Sequence, residues 1–362
     1  MSIISVFYKQ FKDTLKRVYW YVFEYRLRSI WLKKTYKQML SVFPTLKPLT
    51  GEQKNKLKSK WGRYKNSKSF LIYNQYYEGN DLENFMPIEY FLFKFEPFFN
   101  KTFECRMLGD KNYYELLFHD VRQPHTIVRY VRGMFLDEEY NVISKEVVFQ
   151  RCKAYNRVII KIATDSMGGH GIFFWNHDES EEKLLKLICQ ADNVIVQEII
   201  RQHPKMASLN EDSVNTMRLA SLTFNGEVYV VSQFLRIGAK GMLVDNVSSG
   251  GMYCGIQLNG LLRDYGFDHL GRKAYNSASG VEFKGFEIPG YDKCIGLVKS
   301  KAPRMANVCG FISWDFCIAE DGEPIMIETN FAFPDAIVNQ LANGPLLGKG
   351  QMLNNVLKTI GV

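Results

Sequence analysis

Segment 312–330 contains two apolar, strand-like runs on either side of the dipeptide Asp321-Gly322. Asp-Gly between two such runs is a strong signal for a β-hairpin. With this dipeptide at the turn, the symmetry of the pairing places Asp315 directly opposite Glu328. Asn330 lies two residues beyond Glu328 and therefore on the same face of its strand. The hairpin thus brings two carboxylates and one amide together.

The charge repulsion between Asp315 and Glu328 restricts how this hairpin can be interpreted. Like charges facing each other destabilise an antiparallel pair, so we expect removal of Asp315 or Glu328 to stabilise the metal-free protein slightly. A divalent cation would turn the repulsion into ligation, since carboxylate and amide oxygens are ligands that Mg²⁺ takes, together with substrate phosphates. A solvated acidic edge of the sheet is the alternative interpretation.

The chain of 362 residues is long enough for two or three domains at about 100–200 residues each. No uncharged apolar run approaches the roughly 18–20 residues of a membrane-spanning helix. The N-terminus lacks a signal-peptide pattern, because Lys9 and Lys12 interrupt its short apolar start. The seven cysteines are scattered without a CxxC pair, which is typical of reduced thiols. We therefore expect a cytoplasmic protein.

The basic excess lies at one end of the chain. Residues 1–68 carry 17 Lys/Arg against 3 Asp/Glu, whereas the remainder has an acidic excess. We expect residues 1–43 either to lie on an anionic membrane surface, as a peripheral anchor at the inner face, or to pack on the rest of the protein. No nucleic acid partner is expected, since no reading module accompanies the basic residues. Apolar residues at spacings of three and four predict one stripe on a helix here: Ile4, Phe7, Phe11, Leu15, Val18, Val22 and Tyr25.

The run Arg157–Lys161 is strand-like, ends in a lysine and leads into a glycine-rich segment. Gly168, Gly169 and Gly171 lie within four positions, so backbone N–H groups there can approach an anion such as a phosphate. The preceding lysine can reach phosphates as a point charge. A plain hairpin is the alternative, and the segment is not a P-loop because it lacks GxxxxGK[ST].

The run Val194–Ile200 is apolar except for Gln197 and Glu198. Adenine needs an apolar slot with one backbone donor and one backbone acceptor at its edge. A strand that continues into a linker between lobes can supply both. An ordinary edge strand is the alternative interpretation.

The order of these features resembles the ATP-grasp superfamily. Three further motifs resemble the sugar-transfer-associated ATP-grasp proteins of bacterial polysaccharide gene clusters: Gly109-Asp110-Lys111-Asn112, Gln202-His203-Pro204 and Val214-Asn215-Thr216-Met217-Arg218. The resemblance covers residues 90–345. It implies an α+β, ATP-grasp fold that holds ATP between two α+β lobes, preceded by a basic helical arm. The segments expected are an arm over 1–68, an N-terminal lobe over 69–150, a central lid lobe over 151–205 and a C-terminal lobe with the metal hairpin over 206–362.

For the nucleotide, the resemblance implies two lysines on the ATP phosphates, a flexible glycine lid, and a hinge that presents hydrogen-bonding groups to adenine. The residues in these positions are Lys111, Lys161, Gly168, Gly169, Gly171, Gln197, Glu198 and Ile200.

For the chemistry, the resemblance implies that Arg218 and Arg236 act with Lys161 on the γ-phosphate or an acyl-phosphate. It also implies two Mg²⁺ ions, and an Asn-x-x-x-Gly-Gly stretch near the acceptor carboxylate, as in glutathione-synthetase-like members. The metal ligands would be Asp315, Glu328 and Asn330, and the substrate stretch Asn246, Gly250 and Gly251. Segment 331–334 departs from peptide-ligase relatives, which have small polar residues there, so their substrate does not carry over.

The activity implied is an ATP-dependent carboxylate–amine ligase that forms an amide through an acyl-phosphate and releases ADP and phosphate. Its substrate would be a sugar acid or an amino acid in capsular or exopolysaccharide biosynthesis. An ATP-grasp kinase that phosphorylates a hydroxyl needs the same site, and a membrane-surface scaffold with a degenerate nucleotide site is an alternative of another class. No protein nucleophile is expected, because neither GxSxG nor HExxH occurs.

Overall fold

The structure of the protein is a computed structural model that describes residues 3–77, 81–164, 171–245, 250–268, 271–331 and 336–361. The α-helices are α1 Ile3–Leu40, α2 Gly51–Trp61, α3 Lys68–Tyr76, α4 Ile88–Tyr90, α5 Glu96–Phe99, α6 Thr102–Cys105, α7 Tyr114–Leu117, α8 Lys145–Lys153, α9 Glu181–Ile188, α10 Pro204–Ala207, α11 Tyr291–Lys301, α12 Ala336–Asn343 and α13 Gln351–Ile360. The strands are β1 Thr126–Val131, β2 Met134–Leu136, β3 Val142–Ile143, β4 Arg157–Ile162, β5 Ile172–Asn176, β6 Asn193–Glu198, β7 Thr216–Phe224, β8 Glu227–Ile237, β9 Met252–Ile256, β10 Leu262–Asp268, β11 Lys273–Ala274, β12 Phe311–Ile318 and β13 Pro324–Asn330.

The chain divides into two compact units. The first consists of Met1–Cys105 and Asp335–Val362, and the second of Arg106–Pro334. The division into four segments made from the sequence stays a prediction.

The first unit is helical in its described residues, and α1 agrees with the helix predicted for the N-terminal segment. Its C-terminal half is packed: Arg28, Leu32 and Tyr36, each four residues after the last, are buried. The second helix, α2, begins at a capping box in which Thr50 and Gln53 exchange side-chain and backbone hydrogen bonds. These contacts fix one half of α1 and the segment that follows it.

A buried ion pair fixes α1 within the first unit. Arg28 Nη1 lies 2.7 Å from Glu96 Oε2, and the two side chains are 3% and 0% exposed. Glu24, one turn earlier on α1, also contacts Arg28, with Nη2 2.6 Å from Oε1, but Glu24 is 23% exposed. The guanidinium therefore depends chiefly on Glu96 for its charge compensation.

We expect Glu96→Ala to lower the free energy of unfolding by about 3–5 kcal/mol, because it leaves a buried guanidinium without its main counter-charge. Glu24→Ala is the matched control and should cost far less, since water reaches that carboxylate. Urea unfolding of both variants measures the difference. Equal losses for the two would show that Glu96 is no more important to Arg28 than Glu24 is.

The second unit contains two antiparallel sheets, as an α+β fold requires. A six-stranded sheet has the order β3-β2-β1-β6-β4-β5, and a seven-stranded sheet the order β11-β10-β9-β8-β7-β12-β13. Helices α8 and α9 cover the first sheet, where Val148 and Leu184 pack with the strand residues Ile160 and Val196. The predicted α+β class is confirmed.

The hairpin of β12 and β13 pairs Asp315 with Glu328, as predicted, but for a different reason. The turn holds three residues rather than two, since Ala319 N–H donates to Glu323 O and Gly322 adopts φ +80°. A β-bulge then shifts the register between Asp315 and Phe316. The longer turn and the bulge compensate, so the carboxylates still oppose each other.

The segment after β6 joins the two sheets. His203 N–H donates to Ile318 O at 2.9 Å, and Glu320 N–H donates to Arg201 O at 3.0 Å. The side chain of Gln202 accepts from Asn215 N–H at 3.0 Å and donates to Ser213 O at 2.8 Å. Two motif residues, Gln202 and Asn215, therefore hold this linker in place rather than perform chemistry.

Five cysteines are free thiols: Cys152, Cys189, Cys254, Cys294 and Cys317. Cys105 and Cys309 are not free thiols, so for these two residues the prediction of reduced thiols is wrong. None of the helices in the described part of the chain is both long and apolar enough to span a bilayer.

Candidate active site

The centre of the site is Asp315, a carboxylate with no exposed surface. Arg218 is its Cα partner on β7, and the guanidinium binds it through two parallel bonds, Nε to Oδ1 at 2.7 Å and Nη2 to Oδ2 at 2.6 Å. Arg236 on β8 adds a bond from Nη2 to Oδ2 at 3.1 Å. Two guanidinium groups from adjacent strands thus surround one buried carboxylate.

Asp245 holds the second of these arginines and was missed by the sequence analysis. Its Oδ2 lies 3.3 Å from Arg236 Nε and accepts from the backbone N–H of Thr216 at 3.2 Å. The Thr216 hydroxyl accepts from Arg236 Nη2 at 2.7 Å and bonds to Asp245 as well. The available signal was its position directly before Asn246, the first residue of the predicted substrate stretch.

The two buried aspartates respond differently to this environment. Burial opposes ionisation of Asp315, but Arg218 and Arg236 outweigh it and hold the pKa below its ordinary value. Burial raises the pKa of Asp245, and Arg236 does not fully offset it. The charge at the centre of the site is therefore carried by Asp315.

Two lysines lie near Glu328, the carboxylate that pairs with Asp315 in the hairpin. Lys111 Nζ lies 2.8 Å from Glu328 Oε1, and Lys161 Nζ donates to Gln197 Oε1 at 3.0 Å. Burial, followed by the nearby Lys111, lowers the pKa of Lys161 to about 8. For Lys111 burial acts in the same sense, but Glu328 outweighs it and raises the pKa. Among the described residues the buried Lys161 ammonium contacts an amide oxygen and no carboxylate, which suits it to an incoming anion.

The predicted hinge borders a cavity of about 460 Å³. Glu198 and Ile200 line it together with Ala319 and Ile325, and Ile200 also packs on Cys317. Glu198 N–H donates to His125 O at 3.0 Å, whereas in the described residues the N–H of Ile200 donates to no acceptor. The cavity is also lined by charged side chains, among them Arg122, Arg201 and Asp321. It therefore offers an adenine edge a backbone donor beside a partly apolar, partly charged lining.

Contacts within the second unit link half of the sixteen predicted site residues, in the groups around Asp315, Glu328 and Lys161. Gly171 is in the left-handed region at φ +85°, beside Ile162 at the end of β4. Gly250 and Gly251 precede β9, whose Tyr253 pairs with Arg236. Three predicted residues, Gly168, Gly169 and Asn246, lie outside the described residues.

The donor set fits a magnesium–nucleotide ligand better than a free metal ion. In the described residues no three His, Cys, Asp or Glu side chains are grouped as metal ligands. Asn330 completes the predicted set, with Nδ2 3.4 Å from Asp315 Oδ2. Arg218 and Lys111 already neutralise Asp315 and Glu328. Asp315, Glu328 and Asn330 would hold such a metal together with substrate phosphates, whose charge the metal would neutralise.

Comparison with known protein families places the chain among the ATP-grasp proteins. The family model for sugar-transfer associated ATP-grasp matches residues 91–358, and the chain belongs to that family. ATP-grasp proteins generally use ATP and Mg²⁺, so the family supports an ATP-dependent enzyme.

Several solved structures are similar at low identity. They include D-alanyl-alanine synthetase A from Vibrio cholerae (13% identity, TM-score 0.41, 70% of this chain and 63% of that chain). An L-amino acid ligase from Bacillus licheniformis is also similar (11% identity, TM-score 0.41, 71% of this chain and 48% of that chain). The VanG D-Ala:D-Ser ligase from Enterococcus faecalis is a third similar structure (12% identity, TM-score 0.39, 70% of this chain and 60% of that chain). The chain thus spans less than two thirds of each of these proteins. No curated protein matches the chain.

The ion pairs reverse the stability expectation for the opposed carboxylates. Asp315 and Glu328 each contact a cation, so we now expect their removal to lower stability rather than to raise it slightly, as expected from the sequence. We expect Asp315→Asn to lower the free energy of unfolding, without metal or nucleotide, by about 3–5 kcal/mol, since two arginines lose their anion. Glu328→Gln, at a site 25% exposed, should cost less. Urea unfolding tests both, and a D315N protein as stable as the wild type would restore the repulsion argument.

The pKa of Lys161 predicts how nucleotide affinity depends on pH. The ammonium is charged below about pH 8 and neutral above it, and bound phosphates favour the charged form. Affinity for a non-hydrolysable Mg-ATP analogue should therefore be constant below this pKa and fall by about tenfold or more well above it. Calorimetric titration measures this. Lys161→Arg stays charged and should remove the pH dependence of the affinity. If the variant keeps the pH dependence of the wild type, Lys161 does not contact the phosphates.

Proposed function

We propose that this chain is an ATP-dependent ligase that joins a carboxylate to an amine through an acyl-phosphate, releasing ADP and phosphate. The observation that carries the proposal is the arrangement of Arg218, Arg236, Lys111 and Lys161 around Asp315 and Glu328. We further propose a sugar acid or an amino acid as substrate, in capsular or exopolysaccharide assembly in the cytoplasm. The family description, which associates these proteins with sugar transfer, supports that context.

The cations divide the work in this proposal. Lys161 meets the nucleotide phosphates, because it is buried and no carboxylate in the described part of the chain contacts it. Arg218 and Arg236 face the position where the transferred phosphoryl group would lie, and their fixed N–H groups stabilise charge as it develops there. Bound Mg²⁺ would be held by Asp315, Glu328 and Asn330 and would neutralise phosphate charge.

The substrate carboxylate attacks the γ-phosphorus of ATP, the bond to the bridging oxygen breaks and ADP leaves. The amine then attacks the carbonyl carbon of the acyl-phosphate. The nitrogen forms the amide bond, phosphate leaves and the amine loses a proton. A protein nucleophile is not needed. The nearest thiol, Cys317, is buried on the same strand as Asp315, and burial raises its pKa to about 12, so it is not a thiolate at neutral pH.

Substitution at the phosphate and metal positions should abolish turnover without unfolding the protein. We expect Lys161→Ala and Glu328→Gln each to lower ADP production with Mg²⁺ by about a hundredfold or more, the usual scale for groups that stabilise transition-state charge. Lys183→Ala, an exposed lysine in the same unit, is the matched control. Circular dichroism establishes that the variants fold. Near-wild-type ADP production by K161A or E328Q would contradict the site.

The fate of the γ-phosphate distinguishes the ligase from an ATP-grasp kinase. With γ-labelled ATP, a panel of sugar acids and amino acids as carboxylates, and amines as acceptors, a ligase releases free labelled phosphate only when both substrates are present. Hydroxylamine should intercept the acyl-phosphate as a hydroxamate. Label that stays on the product would instead show phosphorylation of a hydroxyl.

A further inference from the structure

The N-terminal half of α1 exposes an apolar stripe. Leu15, Val18 and Val22 are 52%, 53% and 60% exposed. Val18 lies fourteen residues before Leu32, and Val22 fourteen before Tyr36, both of which are buried. Because a spacing of seven returns to nearly the same helix face, the exposed stripe continues the packed face beyond the residues that cover it.

This stripe belongs to a strongly basic unit. The first unit contains 21 Lys/Arg and 10 Asp/Glu, a net charge of +11, whereas the second contains 25 and 28. Residues 3–27 carry five Lys/Arg and two Asp/Glu, and Arg26 lies one turn after Val22. An apolar face on a strongly basic unit is complementary to a surface that is both apolar and anionic.

We propose that the part of α1 that carries Leu15, Val18 and Val22 forms a docking surface for an anionic membrane, on which the helix lies parallel to the bilayer plane. This surface is shorter than the 1–43 expected from the sequence, because Arg28, Leu32 and Tyr36 are packed within the first unit. A second copy of the chain fits less well, since two stripes face to face would bring together two units that each carry a net charge of +11. Nucleic acid fits the charge but not the apolar stripe. The proposal does not depend on the proposed ligase activity.

Co-sedimentation of the full-length protein with vesicles tests the proposal. Phosphatidylcholine vesicles that contain phosphatidylglycerol should retain the protein, pure phosphatidylcholine vesicles should not, and retention should fall as salt rises from about 0.05 to 0.5 M. Val18→Ala with Val22→Ala should weaken partitioning at least tenfold, because it removes apolar contact while favouring the helix. Arg26→Gln should weaken it about fivefold.

Leu258→Ala is the matched control, because Leu258 is 86% exposed in the second unit and its loss should leave partitioning unchanged. ATP turnover of V18A/V22A should equal that of the wild type. The proposal is overturned if neither vesicle retains the protein, if both retain it equally, or if V18A/V22A binds as the wild type does. A dimer in sedimentation velocity that V18A/V22A dissociates, with no lipid binding, would assign the stripe to a second copy. If RNA retains the protein more strongly than the anionic vesicles do, the basic residues would instead form a nucleic-acid binding site.

Discussion

The burial of Asp315 is the constraint on which the rest of the site depends. A buried carboxylate is stable only where cations and donors compensate it, and Arg218 and Arg236 do so from neighbouring strands. The register of β7, β8 and β12 places both arginines, and Asp245 with Thr216 holds the second. The groups assigned to catalysis are therefore also the groups that neutralise the centre of the sheet.

The two sheets contribute different parts of this site. The six-stranded sheet supplies Lys161 and Gln197, and the seven-stranded sheet supplies the arginines and the carboxylates. The linker after β6 pairs with the end of β12, so the cavity edge at Ile200 is tied to the strand that carries Asp315. A nucleotide bound here would contact both sheets at once.

Residue patterns predicted much of this arrangement, because hairpin register and strand periodicity are local properties. The β4 and β6 strands and Lys161 near the end of one follow from short-range pattern. The facing of Asp315 and Glu328 was predicted from a two-residue turn, and it holds because the longer turn and the bulge compensate. The ion pairs did not follow, since Arg218 lies far from Asp315 along the chain and strand pairing alone brings them together. Asp245 was missed for the same reason. The α1 helix was predicted, but where its packing stops depends on Glu96, which no local pattern reveals.

In the β12–β13 hairpin, the bulge at Ile327 lies between the turn and the pair formed by Asp315 and Glu328. Side chains alternate between faces along a strand, so one added or deleted residue in the turn would ordinarily send Glu328 to the opposite face. The three-residue turn and the bulge each shift this parity once, and together they leave it unchanged. The turn end of the hairpin can therefore change length in evolution or by design without loss of the site, provided that each change of one residue is matched by the gain or loss of a bulge.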